Sequence, residues 1–506
     1  MELAGYSWLI KNQNIKCAPI HHHSKIGTQM IRTETPDGRV REIFRKSYAP
    51  GDRPMDHVAF ALKYDGMNLD VLQKVFSGIA TAEMAKYLEE APQAQHSKRI
   101  GFLYEFLTGR ELSVSEKTGN YVPAIDPEMY VARRDSEFVG KWRVNNNLLG
   151  TAEFSPIIRR TQAVAQIEET DWAEMVASNL RTFSDETLSR AVSYLYFKET
   201  KSSFEIEREE PSPDRARRFV AMLKAGGQVE NPFSPEALRS VQNAIVEPRF
   251  AETGFRAGQN YIGESVASFQ EIVHSVGAPP AVMESLMNGL EGCFTRSEGN
   301  ISPIIRAAAL SFAFVFIHPF NDGNGRLHRF LLHDLLARGG VGGNGFLLPV
   351  SADILADMKS YDEALEGFSK PLMSIAEYEM ENNGALTVTN PSEVAGLFRF
   401  PDLTPQVEYL GNVLTRTINQ SLPMEMEFIE SLDRARTAVR DIVDMPDRDR
   451  ERLLMRLHSN SGALGKNRKE KEFPFLTDAE VQEIEAAYKQ AFSREPEEEE
   501  AGGIKP

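Results

Sequence analysis

Apolar residues recur through most of the chain at spacings of three and four, the period of a helix with one buried face. The pattern is clear over residues 57–109, returns over residues 161–223 and continues after residue 390. Residues 307–317 differ, because they are almost wholly apolar and too numerous for an ordinary strand. We therefore predict a buried helix there and a mainly α fold overall.

The predicted helices group into successive regions. We expect a largely helical accessory region at 1–160, a core at 161–375, a helical region at 376–490 and a disordered acidic tail at 491–506. Helices are predicted at 265–275, 280–292, 302–317, 405–418, 425–443 and 477–492. The C-terminal helices fit either a recognition module or a structural appendage. The triplet His21–His23 is predicted to be a solvated loop, since three adjacent residues cannot all face one metal ion.

The chain turns sharply after the predicted buried helix. His318 precedes a proline, which excludes the α conformation and ends the helix there. Residues 321–325 (Asn-Asp-Gly-Asn-Gly) tolerate positive φ, so their amide groups can point into one concavity. A second helix follows, with Arg326 and Arg329 on one face. Backbone donors, the helix dipole and two guanidinium groups together predict a phosphate site.

Two further side chains in this stretch carry chemistry. Asp322 supplies a hard oxygen ligand of the kind Mg²⁺ accepts when it also binds substrate phosphates. His318, at the end of a buried helix, is placed to act as a general base. A helix-turn-helix corner with a capping Asp would explain any one of these residues, but it has no use for the whole set.

Composition limits the remaining alternatives. The chain has 506 residues, of which 42% are hydrophobic and 26% charged, as in ordinary globular proteins of two to four domains. The net charge of −16 argues against nucleic acid as the principal partner. Only Cys17 and Cys293 occur, so no disulfide framework is expected. With neither a signal peptide nor a membrane-spanning apolar run, we expect a cytoplasmic protein without a membrane partner.

The stretch from His318 to Arg329 reads H-x-F-x-D-G-N-G-R-x-x-R and resembles the signature of the Fic (filamentation induced by cAMP) family at all eight fixed positions. The resemblance covers about residues 190–375. It implies a Fic-type helical core with a short β-hairpin flap, flanked by helical regions, and a protein adenylyltransferase activity. His318 would be the base and Asp322 the Mg²⁺ ligand. The implied nucleotide-binding residues are Phe320, Gly323, Asn324, Gly325, Arg326, Arg329 and Tyr361.

Two further segments resemble parts of Fic proteins. Residues 203–207 match the inhibitory pattern [S/T]-x-x-x-E-[G/N] through Ser203 and Glu207, although Arg208 departs from it. This would place an inhibitory helix near 198–210; an exposed charged helix is the alternative. Residues 254–263 resemble the flap that holds a target by main-chain pairing, and an isolated surface hairpin is again the alternative. The implied flap residues are Gln259, Asn260, Tyr261 and Ile262.

The resemblance implies ATP as co-substrate, Mg²⁺ as cofactor and a protein target with an accessible Ser, Thr or Tyr hydroxyl. The chain itself is a second candidate target, and a homo-oligomer stays open. Family relatives also transfer UMP, phosphocholine or phosphate, or remove AMP. A regulatory binding protein that senses a nucleotide is an alternative of another class.

Overall fold

A computed structural model describes residues 1–35, 38–90, 95–266, 270–342, 345–381 and 384–493. The described chain is mainly α, as predicted, with four small sheets among these residues. It divides into two compact units, one formed by residues 1–173 and 196–415 and the other by residues 174–195 and 416–506. The N-terminal region and most of the predicted core therefore lie in the first unit, whereas residues 174–195 of that core belong to the second.

The first 160 residues contain short strands as well as helices. The helices are α1 Gly5–Asn12, α2 Pro54–Tyr64, α3 Leu69–Ser77, α4 Thr81–Glu90 and α5 Gln95–Thr108. The strands are β1 Glu2–Ala4, β2 His22–Gly27, β3 Ile31–Glu34, β4 Val40–Arg45, β5 Val122–Pro123, β6 Glu137–Val139 and β7 Val144–Asn146. They form sheets of order β1-β2-β4-β3 and β5-β7-β6. Strands this short give little alternation, so the sequence predicts a more helical region than the structure has.

The histidine triplet does not form the solvated loop predicted for it. His22 and His23 begin β2, which pairs in parallel with β4. His22 is 6% exposed, and its Nε2 lies 3.1 Å from a carboxylate oxygen of Glu42. Alternation of buried and exposed positions along β2 gives this segment one face toward the core.

The chain from residue 161 to residue 390 is mainly helical and has a hairpin before the motif. The helices up to the hairpin are α6 Gln162–Glu169, α7 Trp172–Leu180, α8 Asp185–Ile206, α9 Pro213–Lys224 and α10 Pro235–Ile245. The hairpin strands are β8 Tyr261–Val266 and β9 Gln270–Val276. After it come α11 Met283–Ser297, α12 Pro303–Ile317, α13 Asn324–Arg338, α14 Val350–Ala356, α15 Met358–Met373 and the strands β10 Tyr378–Met380 and β11 Leu386–Val388.

The helix predicted at 265–275 is wrong, because this segment contains β9. Ile272, Val273 and Val276 are β-branched, and β9 pairs antiparallel with β8 along its whole length. The predicted helices at 280–292 and 302–317 are confirmed as α11 and α12. The hairpin lies a few residues further along the chain than the predicted span of 254–263.

Helix α12 is the buried centre of the unit that holds the motif. Nearly all its side chains are buried, as its apolar sequence predicts. Phe312 packs against the ring of His328 on α13 at 4.7 Å between centroids, and Phe316 stacks on Phe368 of α15 at 4.3 Å. Nδ1 of His328 also lies 2.8 Å from the Ser311 carbonyl oxygen. These contacts fix α12 and α13 side by side, so the turn between them has a defined position.

The remaining helices are α16 Pro391–Arg399, α17 Thr404–Arg416, α18 Leu422–Ile442, α19 Asp447–Ser459, α20 Lys466–Glu472 and α21 Asp478–Phe492. Helices α17, α18 and α21 confirm the three predicted C-terminal helices. The predicted tail falls largely outside the described residues, which end at residue 493 within this part of the chain. None of the helices in the described ranges is long and apolar enough to cross a bilayer.

Candidate active site

His318 lies at the C-terminal end of α12 with its side chain partly exposed. Its backbone is left-handed, with φ 56° and ψ 61°, and its N–H donates to the Phe314 carbonyl oxygen at 3.0 Å. Nδ1 of the ring lies 3.2 Å from the Val315 carbonyl oxygen. Because a carbonyl only accepts, Nδ1 carries the proton and Nε2 keeps its lone pair. The ring can therefore take up a proton at Nε2.

The surroundings of His318 keep its ring neutral. Burial lowers the pKa of His318 to about 4, since a low-dielectric environment disfavours the imidazolium. The positive charge of Arg256 lowers this pKa further, whereas the carboxylates of Glu207 and Asp322 oppose the shift. Near pH 7 the imidazole is uncharged, which is the state a general base requires.

The turn after His318 and the first turn of α13 form a cradle for an anion. Gly323 adopts φ 88°, a conformation that favours glycine. A Cβ atom on Gly325 would lie 2.2 Å from Oε1 of Glu207, so a glycine is needed for a carboxylate to approach the helix this closely. The N-terminus of a helix attracts anions through its free N–H groups and its dipole. Here the neighbouring anion is the protein's own Glu207.

Arg329 is held by the two residues predicted to be inhibitory. Its Nη2 donates to Oε1 of Glu207 at 2.8 Å and to the Ser203 carbonyl oxygen at 2.7 Å, and its Nε donates to Ser203 Oγ at 2.8 Å. Arg329 is 1% exposed. Burial favours the protonated acid of Glu207, but the charge and hydrogen bond of Arg329 outweigh it, so the pKa of Glu207 lies below its usual value.

Helix α8 runs antiparallel to α13, and a row of polar side-chain contacts joins the two. Glu199 is fully buried, and its Oε1 lies 2.7 Å from Nε2 of His333. Four residues further along α8, Ser203 contacts Arg329, and Glu207, just beyond the end of α8, contacts the same arginine. Glu199 also accepts the Ser351 N–H at 2.8 Å. The sequence shows the four-residue spacing of Glu199, Ser203 and Glu207, although only Ser203 and Glu207 were predicted to belong to the site.

Arg208 explains why the resembled pattern has Gly or Asn after its glutamate. The residue lies just beyond the end of α8 with φ 56°, in the left-handed region. Glycine reaches this region without steric conflict and asparagine tolerates it, whereas arginine is strained there. The departure from the pattern therefore places strain on the inhibitory segment but leaves the Glu207–Arg329 pair in place.

Arg326 is also paired with carboxylates. Its Nη1 donates to Oε2 of Glu209 at 3.0 Å, and its Nη2 donates to Oδ1 of Asp322 at 3.0 Å. The same oxygen of Glu209 accepts from Arg215 at 2.7 Å. Glu209 was not predicted from the sequence, because it falls outside the Ser-x-x-x-Glu frame. The acidic residue two positions after Glu207 was the available signal.

Asp322 fits Mg²⁺ only as part of a larger ligand set. Its side chain is 43% exposed, and its Oδ1 already accepts the Gly323 N–H at 2.6 Å as well as Arg326. No group of three His, Cys, Asp or Glu side chains suited to a metal occurs in the described part of the chain. Mg²⁺ is commonly held by one or two carboxylates together with substrate phosphates and water. A single carboxylate beside an anion cradle matches that arrangement.

Three predicted nucleotide-binding residues lie in internal positions. Asn324 closes the turn, since its Oδ1 accepts the Phe320 N–H at 3.1 Å and its Nδ2 donates to the Phe320 carbonyl at 2.8 Å. Phe320 itself is fully buried against Phe255, with ring centroids 5.6 Å apart. Tyr361 is 4% exposed and packs near His328, and burial raises the pKa of its hydroxyl to about 12. These three side chains therefore support the site from within the fold and do not line its opening.

The four predicted flap residues divide into two pairs. Gln259 donates from Nε2 to the Gly277 carbonyl at 2.7 Å, and Asn260 donates from Nδ2 to the Phe320 carbonyl at 3.2 Å, so both side chains tie down the hairpin stem. Tyr261 and Ile262 begin β8, and Ile262 is 48% exposed. A register shift separates Ile262 from the next residue. The exposed start of β8 is the part of the four-residue segment available to another chain.

A sequence profile of the Fic/DOC family matches residues 232–336. The protein adenylyltransferase fic-1 of Caenorhabditis elegans is 41% identical over 63 residues, which are 12% of this chain and 12% of that protein. A Fido domain-containing protein of Dictyostelium discoideum is 42% identical over 76 residues, 15% of this chain and 51% of that protein. The chain therefore matches only a minor part of the nematode protein and about half of the other.

Two solved structures are also similar. A Fic family protein from Desulfovibrio desulfuricans has 16% identity and a TM-score of 0.37, with 59% of this chain and 87% of that chain covered. A Fic domain containing signaling protein from Bacteroides thetaiotaomicron has 18% identity and a TM-score of 0.35, with 51% and 96% covered. The motif from His318 to Arg329 lies inside the matched residues 232–336, and this chain carries a domain of the Fic/DOC family.

Proposed function

We propose that this chain is a protein adenylyltransferase held in an inhibited state by its own Glu207. The observation that carries the proposal is the carboxylate of Glu207 in the anion cradle, 2.8 Å from Arg329 and against Gly325. A buried arginine at a helix N-terminus suits a phosphate. The carboxylate stands where a phosphate of the nucleotide would otherwise bind.

The proposed reaction starts at His318. Nε2 removes the proton from a hydroxyl of the target protein, and the hydroxyl oxygen attacks the α-phosphorus of ATP. A new oxygen–phosphorus bond joins AMP to the target, while the bond to the β-phosphate breaks and pyrophosphate leaves. A neutral imidazole with Nδ1–H directed at the Val315 carbonyl leaves Nε2 free for this step.

The remaining motif residues position the nucleotide. The amides at the start of α13 and the guanidinium groups of Arg326 and Arg329 would bind its phosphates and stabilise the negative charge that develops during transfer. Asp322 would hold Mg²⁺ together with those phosphates, and the metal would neutralise their charge. Asn324 and Phe320 support this arrangement by fixing the turn.

Inhibition follows from competition for one cation. Arg329 cannot pair with Glu207 and bind the terminal phosphate at the same time. The buried Glu199–His333 contact anchors α8 and keeps the inhibitory segment near α13. Glu209 adds a second carboxylate, which holds Arg326. Activation therefore requires that the segment after Phe204 move away from both arginines.

The hairpin gives the proposal a target-binding element. Its strand β8 begins beside the carbonyl oxygens of His318 and Phe320, which accept hydrogen bonds from Asn260. A target segment that pairs with the hairpin backbone would bring its hydroxyl to the imidazole, and backbone pairing tolerates varied target sequences. The name of the nematode relative supports AMP transfer, over a short matched region.

Labelled nucleotides test the assignment. Full-length Glu207→Gly protein is incubated with Mg²⁺ and one labelled nucleotide, either ATP labelled on the α- or the γ-phosphate or UTP labelled on the α-phosphate, with itself and lysate proteins as targets. Adenylyl transfer predicts protein label from the α-phosphate only. Label from the γ-phosphate alone would indicate phosphate transfer, label from α-labelled UTP alone would indicate UMP transfer, and bound nucleotide without turnover would indicate a sensor.

A further inference from the structure

A buried arginine outside the motif lies directly under the catalytic turn. Arg256 is 3% exposed and precedes the hairpin. Its Nε donates to the His318 carbonyl oxygen at 2.7 Å, its Nη1 to that of Gly258 at 2.6 Å, and its Nη2 to that of Ala278 at 2.6 Å. Nη2 also lies 3.4 Å from the Ile317 carbonyl oxygen. One guanidinium therefore binds carbonyl groups from three separate segments.

These segments are the two stems of the hairpin and the end of the helix that carries the base. Gly258 precedes β8, and Ala278 follows β9. Backbone hydrogen bonds reinforce the junction, since the Arg256 N–H donates to the Pro319 carbonyl at 2.9 Å and the Ala278 N–H donates to the Ile317 carbonyl at 3.1 Å. The hairpin and the catalytic turn are thus fixed to each other through the same side chain.

His318 needs such support because its backbone conformation is unfavourable. A residue other than glycine in the left-handed region carries a steric cost, and it stays there only where its surroundings impose the conformation. The last carbonyl groups of α12 also lack partners within the helix, and the C-terminal end of a helix favours a cation. Arg256 supplies both the donors and the positive charge at this end.

We propose that Arg256 is a positioning residue for the transfer reaction, holding the His318 carbonyl so that the imidazole faces a hydroxyl presented by the hairpin. This inference rests on the proposed function for its kinetic consequences. An arginine suits this position, because a planar guanidinium can donate to several carbonyl groups at fixed angles. A lysine offers one nitrogen, and a glutamine of similar shape carries no charge.

Arg306 provides a matched control at the other end of the same helix. It is 6% exposed, and it donates from Nη2 to the Phe294 carbonyl at 2.8 Å and from Nε to Ser297 Oγ at 3.2 Å. Like Arg256, it is a buried arginine that caps the C-terminus of a helix, in this case α11. It lies twelve positions before His318, so a helical rise of about 1.5 Å per residue places it about 18 Å away.

The test compares Arg256→Gln, Arg256→Lys and Arg306→Gln in full-length Glu207→Gly protein. We expect Arg256→Gln to lower kcat about 100-fold with the KM for ATP changed less than about threefold, because a displaced base is costly while the phosphate cradle is intact. Arg256→Lys should recover part of kcat. Arg306→Gln should lower the Tm and leave kcat unchanged. Equal kcat losses in Arg256→Gln and Arg306→Gln would overturn the proposal.

A spectroscopic measurement separates this inference from the proposed function. Nitrogen NMR of the histidine rings, with His318→Ala used to assign the signal, should show a neutral His318 with its proton on Nδ1. Arg256→Gln should convert that signal to a mixture of tautomers, whereas Arg306→Gln should not. An unchanged spectrum in Arg256→Gln would overturn the positioning role, and a changed spectrum in a chain that transfers no AMP would overturn only the proposed function.

Discussion

Replacing Glu207 with glycine should activate the protein. The substitution removes the carboxylate that pairs with Arg329 and lies against the first turn of α13. Arg329 then loses its competing anion but keeps its hydrogen bonds to Ser203. The cradle is left with its backbone donors and its cation, and nucleotide binding no longer requires an ion pair to break.

The size of the effect follows from that contact. A hydrogen bond to a charged group contributes about 1.5–3 kcal/mol. The Glu207 side chain is 35% exposed, so solvent screening favours the lower part of this range. Because 1.4 kcal/mol corresponds to about a factor of ten, the transfer rate at subsaturating ATP should rise about 10- to 30-fold.

The assay measures AMP incorporated from α-labelled ATP, with Glu205→Gly as the control. Glu205 is an exposed residue in the last turn of α8, two positions before Glu207. Both substitutions put a glycine in place of a glutamate in the last turns of this segment, but only one removes a partner of Arg329. Equal activation of both variants, or a lower rate with Glu207→Gly, would show that Glu207 does not inhibit the protein.

Three further outcomes are expected. Arg208→Gly should stabilise the protein by about 1 kcal/mol in chemical unfolding and lower basal transfer, since it relieves a left-handed arginine beside Glu207; an activated Arg208→Gly would contradict this. Adding Glu209→Gln to Glu207→Gly should tighten ATP binding a few-fold in calorimetry by freeing Arg326, and weaker binding would make Glu209 a support for the cradle. In Glu207→Gly protein, kcat/KM should stay level from pH 7 to pH 5 and fall toward pH 4, because the base is lost only when His318 is protonated, with its pKa lowered to about 4. A fall centred near pH 6.5 would contradict this.

Local chemistry made the motif predictable. The proline after His318, the glycines at 323 and 325 and the spacing of the two arginines each determine backbone geometry within a few residues. The structure accordingly pairs Asp322 with Arg326, and the charges of Glu207 and Asp322 act on the pKa of His318. The apolar run before them likewise predicted a buried helix, since it offers no polar face.

Longer-range features were less predictable. Strand β9 was predicted as a helix, because a single strand of a hairpin with one exposed face carries little periodic signal. The short N-terminal strands were not predicted for the same reason. Arg256 contacts carbonyl groups, and Glu209 a guanidinium group, that are far away in sequence, so no local pattern indicates either residue. Tyr361, which the resemblance places near the nucleotide base, has its ring near that of His328, and no local pattern predicts that neighbour.

The most direct test of adenylyl transfer compares Glu207→Gly with the double variant Glu207→Gly/His318→Ala. Each full-length protein is incubated with Mg²⁺ and α-labelled ATP, and label on protein is measured alongside ATP affinity. We expect protein label with Glu207→Gly, none with the double variant, and similar ATP affinity for both. Equal labelling by the two proteins, or no labelling by Glu207→Gly despite tight ATP binding, would contradict this expectation.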